Sequence, residues 1–430
     1  MNAENPKKVY AISLGCPKAR VDLEVVLADM LINGWEYVGT PKRADLIIVN
    51  TCGFLKAARQ ETRQTIHDLK HKFPGIPVAA TGCMVEGFRK EIIQTGAMAL
   101  AGTRDMMRAA LPLTDVSNDH LADPSVRLVT TPVPSTYLKV AEGCNRRCSF
   151  CIIPKLRGRQ HSRDVASLVK EAGDLVAMGF RELIVIAQDL TAYGRDIGTN
   201  LTTLLDALQE IKGLKWLRMM YLHPAGITDD LLTLIANSTK ILPYFDIPLQ
   251  HVSDHILRAM RRGTRAGLIR GLFNRIQERI PSAIFRTTLI TGFPGETRAD
   301  FDELVDFIRH QPIMLGGAFE YSPEPLSASY KLPGQLSRDM IKKRHLKLTD
   351  AMAKRGDELL QRFVGQRISA VVYDRVGNNW TGRTWFQAPE GIDGELIITG
   401  GDSPGPGFCD VEVVKVKNYT VFGRFINKTP

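Results

Sequence analysis

Along the first hundred residues, short apolar runs alternate with stretches of mixed polarity. KVYAISLG (8–15), DLIIVNT (45–51) and PVAATG (77–82) have the β-branched, continuously apolar character of buried strands. Each is followed by helical spacing, in ARVDLEVVLADMLING, LKAARQETRQTIHDLKHKF and MVEGFRKEIIQTG. The pattern predicts an α/β domain over 1–110, with β/α units around a parallel sheet. Pro and Asp interrupt the periodicity over 111–135, which reads as a linker. The alternation then resumes six times between 136 and 335. The predicted strands are YLKVAEG (137–143), ELIVIAQ (182–188), WLRMMYL (216–222), YFDIPL (244–249), FRTTLIT (285–291) and GGAFEYS (316–322). Among the intervening helices is SRDVASLVKEAGDLVAMG, with Ser162 as its expected N-cap. Six such units fit a full small barrel, an open partial barrel or a doubly wound sheet, and periodicity does not choose. In all three, ligands meet the C-terminal ends of the strands. A charged helical connector over 336–363 leads to residues 364–430. There RISAVVYD, WTGRTWF, ELIITG and DVEVVKVKNYTVFGRFI read as strands of a small all-β barrel.

At 430 residues the chain is long enough for about three domains with cores of their own. No apolar run is long enough to cross a bilayer, and residues 1–8 lack the apolar segment of a secretory signal, so a cytoplasmic protein without a membrane partner is expected. Seven cysteines in such a chain suggest metal binding or catalysis rather than a disulfide framework. The net charge of +10 is unevenly spread. Residues 126–362 carry 34 Lys and Arg against 25 Asp and Glu, whereas residues 363–430 carry 7 of each. A polyanion-facing surface belongs in the middle segment, not in the tail.

The chemistry is concentrated in cysteines. Cys144, Cys148 and Cys151 stand in LKVAEGCNRRCSFCIIP, directly after the first strand of the middle segment. Three thiolates hold three irons of a four-iron, four-sulfur cluster and leave the fourth open for a small molecule. A structural zinc site would need a fourth ligand, for which His161 is the nearest residue. A second set, Cys16, Cys52 and Cys83, is scattered in sequence, yet each residue immediately follows a predicted strand and adjoins Gly15, Gly53 or Gly82. In a parallel sheet those loops open on one edge, and glycine there admits close backbone approach to a bulky group. Three converging thiols would make a second incomplete ligand set; one such placement would read as an ordinary buried cysteine, but three of three at strand ends point to a ligand set. Cys409, in the tail, reads as a core thiol.

The CxxxCxxC spacing resembles that of the radical S-adenosylmethionine (SAM) enzymes, and along nearly its full length the chain is similar to their methylthiotransferase family. The resemblance rests on SLGCPKARVD, NTCGF, TGC, AEGCNRRCSFCIIPKLRGR, QDLTAYG (188–194), DIPLQHVSDHIL (246–257) and TGFPGET (291–297). It implies a six-unit β/α partial barrel, a TRAM-like tail and two 4Fe-4S clusters. One cluster, on Cys144, Cys148 and Cys151, would bind SAM and cleave it reductively to a 5′-deoxyadenosyl radical. The other, on Cys16, Cys52 and Cys83, would carry the sulfur that a second SAM methylates. The electrons would come from a low-potential donor such as ferredoxin or flavodoxin. Two substrate types exist in the family: an aspartate β-carbon of small-subunit ribosomal protein twelve, and isopentenyl-adenosine in tRNA. GCPK with RVD, and APEGIDGELII (388–398), resemble the ribosomal-protein type, although Ala19 replaces its usual Asn, Gln387 its usual Asp, and Gly391 is extra. The neutral tail favours a basic protein over tRNA, because an RNA grip needs positive charge.

Around this frame, Gln188 and Asp189 end a strand on the reactive face and are expected to hold polar groups of SAM. Gly292 and Gly295 in GFPGE would approach its adenosine, and Arg157, among the loop arginines 146, 147, 157, 159 and 163, its carboxylate. His223 and His251 read as structural histidines, and RAMRRGTRAGLIRGLFNR (258–275) as one exposed amphipathic helix. Trp380, Trp385, Phe386 and Phe422 divide between tail core and contact surface. A non-catalytic, metal-stabilised ribosome-binding protein is the remaining alternative, and it predicts fully closed coordination.

Overall fold

The computed structural model describes residues 6–103, 123–399 and 405–428. Part of the expected linker, 111–122, lies outside the described residues. The first domain is a parallel sheet of β1 (Lys8–Ser13), β2 (Glu36–Tyr37), β3 (Leu46–Thr51), β4 (Val78–Gly82) and β5 (Met98–Ala99), in the order β2-β1-β3-β4-β5. β3 and β4 are buried along their whole length, which explains their unbroken apolar sequences. Helices Pro17–Ile32, Lys56–Lys72 and Cys83–Gln94 start directly from the strand-end loops.

The middle segment is a wall of parallel strands: β6 (Ser135–Lys139), β9 (Glu182–Ile186), β10 (Trp216–Met219), β11 (Tyr244–Asp246), β12 (Ile284–Thr291) and β13 (Ile313–Glu320). A small antiparallel ribbon of β7 (Ala141–Glu142) and β8 (His161–Ser162) sits beside the cysteine loop. Two three-stranded sheets meet where Leu217 bridges Ile241, and β6 and β13 form the outer edges. The six units are thus an open partial barrel. Ser162 is not a helix cap. It sits in β8, and Asp164 caps Val165–Ala177 by accepting from the Ser167 N–H.

The strands alternate between two cores. Leu138, Leu183, Leu217 and Phe285 face the outer helices. Tyr137, Ile184, Tyr244 and Ile284 face inward, where the tail barrel packs against them. That barrel closes in the order β14 (Arg367–Val376), β15 (Asn379–Thr384), β16 (Leu396–Ile398), β18 (Thr420–Lys428), β17 (Gly407–Lys417). The run 410–426 is not one strand. Asn418 and Tyr419, at φ of 49° and 63°, turn it into the β17–β18 hairpin, with Lys417 opposite Thr420. Buried ion pairs and hydrogen bonds seat the tail: Arg383 pairs with Glu182 and Arg286 with Asp393, Arg218 donates to the Trp385 carbonyl, and the Tyr244 hydroxyl donates to Asp393. Phe386 and Cys409 are fully buried, so neither is a contact surface. Gln387 is internal as well. Its amide oxygen accepts from Thr384 N–H and its Nε2 donates to the carbonyls of Asp393 and Tyr419, pinning the 388–394 loop.

Candidate active site at the strand ends

The three scattered cysteines meet at the C-terminal edge of the first sheet. Cys16 is the N-cap position of helix Pro17–Ile32 and is exposed; Cys52 follows β3; Cys83 opens the helix after β4 and is buried. The adjoining glycines serve the protein's own packing rather than a bulky ligand. A Cβ on Gly53 would lie 2.7 Å from the Cys83 carbonyl oxygen. Gly82 has φ +95°, and a Cβ there would meet Asn50 and the Thr51 backbone. Thr51 ties the two loops by donating to the Thr81 carbonyl (2.7 Å) and accepting from Met84 N–H (3.2 Å). Burial pushes the Cys52 thiol up and the Cys83 thiol up to about 11. Desolvation by the surrounding protein works to raise Cys16 despite its surface position, but the charges of Lys18 and Arg157 and the Ala19 N–H outweigh it and hold that thiol below its ordinary value.

The compact triplet sits in the loop after β7. Each sulfur accepts one hydrogen bond at 3.4 Å: Cys144 from Arg146 N–H, Cys151 from Ile153 N–H and Cys148 from Arg262 Nη1. Burial raises Cys144 to about 11 and Cys151 to about 12. Arg262 was expected on an exposed helix. Instead the run 258–275 breaks between helices Asp254–Ala259 and Ala266–Arg279, with Arg261 at φ 54° and Gly263 at φ 68°, and the break turns Arg262 inward.

Arg157 lies beside the scattered triplet. Its guanidinium is buried, pairs with both oxygens of Glu142 (2.9 Å) and with Asp22 (3.0 Å), and bears electrostatically on Cys16, Cys52 and Cys83. Lys139 also holds Glu142, at 3.0 Å. Gln188 donates to Glu142 at 2.8 Å, and its amide oxygen is buried without a partner. Asp189 accepts from Arg146 (2.7 Å) and Thr191 (2.7 Å); burial raises its carboxyl, but these partners hold it below the usual range. His223 stands close by. Burial, then Arg262 and Arg146, lower it to about 3, so it stays neutral, with Nε2 buried and unpartnered. Gly292 N–H donates to the buried Glu296, which Arg344 also engages, whereas Gly295 opens onto free space. His251 accepts from Ser253 N–H and is 3.6 Å from Glu296, a structural arrangement.

Thus the structure brings Asp189 to the compact triplet, Arg157 to the scattered one, and Gln188 to the Glu142 that Arg157 holds. His161 does neither: its side chain is 91% exposed, beside Asp196. Sequence reading missed Lys18, Glu142, Arg262 and Tyr221; only the Gly263 turn signal hinted at one of them. Among the described residues, no three His, Cys, Asp or Glu side chains gather tightly enough for one metal ion. Two thiol triplets without a fourth protein ligand, their sulfurs met by N–H groups and guanidinium charge, fit polynuclear clusters, whose irons spread the sulfurs apart.

Comparison with known proteins accords with this geometry. Residues 138–308 match the radical SAM superfamily, 8–101 an uncharacterized protein family (UPF0004), and 364–426 the TRAM domain. The chain is 38% identical to the ribosomal protein uS12 methylthiotransferase RimO of Aquifex aeolicus, covering 97% of each. It is 36% identical to that of Syntrophomonas wolfei, over 96% of this chain and 99% of that one. Among solved structures, the radical SAM methyltransferase TsrM from Kitasatospora setae, with cobalamin and a [4Fe-4S] cluster bound, shares the fold at 15% identity. Its TM-score is 0.56, covering 75% of this chain and 77% of that one. Full-length identity at this level, joined to three family matches in the same order as the three domains, makes the chain a member of the RimO family of ribosomal protein uS12 methylthiotransferases.

Proposed function

We propose that this protein inserts a methylthio group at the β-carbon of an aspartate in ribosomal protein uS12, using two 4Fe-4S clusters and SAM. The observation that carries the reading is the pair of three-thiol ligand sets at strand ends, with Arg157, held by Asp22 and Glu142, beside the scattered one. Cys144, Cys148 and Cys151 would hold one cluster, and Cys16, Cys52 and Cys83 the other. Bound there, the clusters and SAM supply the electron, the radical and the sulfur that no side chain can provide.

The chain's own residues prepare that chemistry. Arg146 N–H, Ile153 N–H and Arg262 disperse sulfur charge at the compact triplet. Arg157 sets one positive charge against the scattered one, and Asp22 and Glu142 keep the guanidinium from rotating away. The buried Gln188 oxygen and His223 Nε2 offer polar contacts to a SAM molecule beside Asp189, and Gly295 leaves room for its adenosine. The tail barrel closes the inner side of the open barrel and leaves the strand-end mouth as the approach for the substrate. The neutral, docked tail supports a protein substrate. Electrons would arrive from a low-potential donor such as ferredoxin or flavodoxin, in the cytoplasm.

The test is mass spectrometry after anaerobic turnover with SAM, sulfide and a low-potential reductant, offering uS12 and tRNA side by side. A methylthio adduct on an aspartate of uS12, absent with Cys16→Ala or Cys144→Ala, is the expected result. An adduct on tRNA adenosine would overturn the substrate assignment.

A further inference from the structure

Lys18 lies two residues beyond Cys16, in the first turn of helix Pro17–Ile32, and is buried. Its Nζ stands 3.2 Å from the ring centroid of Tyr221, just past the end of β10. Tyr221 has φ 65°, a left-handed conformation unusual for an aromatic residue, and its N–H donates to Asp246 at 2.8 Å. The backbone strain therefore presents the ring face to the ammonium.

A buried ammonium ordinarily pairs with an anion. Among the described residues, Lys18 meets the Tyr221 side chain and bears electrostatically on the thiol of Cys16, and no ion pair joins it to a carboxylate. The carboxylates nearby are all committed elsewhere. Asp22 is held by Lys139 and Arg157, Asp246 by Arg286, Asp393 by Arg286 and Tyr244, and Glu390 by Arg20. The aromatic ring covers one side of the ammonium and cannot satisfy its three donors. Its charge bears on exposed Cys16, the first thiol of the scattered triplet.

We infer that Lys18, oriented by Tyr221, binds the side-chain carboxylate of the substrate residue and so selects an acidic residue for modification. The inference rests on the methylthiotransferase reading and goes beyond it by naming the group that recognises the target side chain. The competing role for this cation is to balance the charge of the sulfur ligands at Cys16, which would make it indifferent to the substrate's side chain.

Cluster-loaded wild type, Lys18→Met and Lys18→Arg would be titrated with uS12 and with uS12 whose target aspartate is replaced by asparagine. Fluorescence anisotropy reads the affinities, and iron content is measured for each variant. Wild type should favour the aspartate form by about tenfold or more. Lys18→Met should bind both forms alike with full iron content, and Lys18→Arg should recover part of the preference. A preference that survives in Lys18→Met, or is absent from wild type, overturns the inference while leaving the uS12 assignment intact. Loss of iron in Lys18→Met while that variant keeps the wild-type preference assigns the cation to the sulfur ligands and also overturns it. If wild type binds neither form, the uS12 reading itself fails.

Discussion

The two cysteine triplets reach a similar thiol count by opposite routes. Cys144, Cys148 and Cys151 are gathered by eight consecutive residues, so one loop sets their spacing and neighbouring backbone N–H groups stabilise two of the sulfurs. Cys16, Cys52 and Cys83 are gathered by a sheet: β1, β3 and β4 must pair in register before the thiols meet. A ligand set built by tertiary structure inherits the stability of its domain. One built by a loop inherits only the loop's geometry. The scattered set should therefore be the one that a remote packing change can dismantle.

The most severe way to separate the two is to remove a thiol from each. Cys16→Ala and Cys144→Ala should both reduce methylthio transfer to below about 1% of wild type, since neither cluster alone completes the reaction. Only Cys144→Ala should also abolish 5′-deoxyadenosine formation, measured by chromatography and mass spectrometry. Each should lose roughly four of eight irons. Formation of 5′-deoxyadenosine by Cys144→Ala would contradict the division of labour between the triplets.

Breaking the bridge comes next. Arg157→Met removes one of the two cations that Asp22 and Glu142 share and leaves Lys139 alone beside them, at a cost of about 1–3 kcal/mol in a denaturant titration. Iron should be lost first from the scattered set, and SAM cleavage should outlast sulfur transfer. Gly53→Ala sharpens the comparison from the packing side. Its Cβ strikes the Cys83 carbonyl region, so a destabilisation of about 1–3 kcal/mol is expected, again with SAM cleavage retained. If both variants lost the two activities in parallel, the triplets would be one cooperative unit.

The smallest effects concern protons. The carboxyl of Glu142 is raised by burial but more strongly lowered by Lys139 and Arg157, to about 2. Because the folded value lies below the unfolded one, its contribution is present above the usual carboxylate range and is lost as pH falls toward 2. The depressed His223 acts in the same direction. The unfolded chain gains a proton below about 6.5 that the folded chain refuses until about 3, so stability falls across that window. Thermal melts between pH 7 and 4 should show a shallower acid slope for His223→Gln. An unchanged slope would mean that His223 is not buried neutral.

Much of this was legible along the chain. The β/α alternation placed the strands, and the position of Cys16, Cys52, Cys83 and Cys144 just past a strand predicted where each set would lie. The hairpin at Asn418 and Tyr419 was not legible, because a tyrosine in a two-residue turn lacks the glycine that usually marks one. Nor was Arg262, whose basic surroundings read as a solvated helix until Gly263 broke it. The fate of Gln387 was hidden for a different reason: its partners are carbonyls 6 and 32 residues away.

The residues alone determined the kinds of chemistry available: two incomplete thiol sets, a strand-end location and a neutral tail. These depend on local spacing and composition, which a chain carries whatever its fold. Only the tertiary structure decided which charges face which sulfurs. It turned Arg157 toward Cys16 and Cys83, aimed Arg262 at Cys148, laid Lys18 on Tyr221, and docked the tail inside the open barrel. Those choices follow from packing and from the need to neutralise buried charge across more than a hundred residues of sequence, as between Arg157 and Asp22, a distance over which periodicity carries no information.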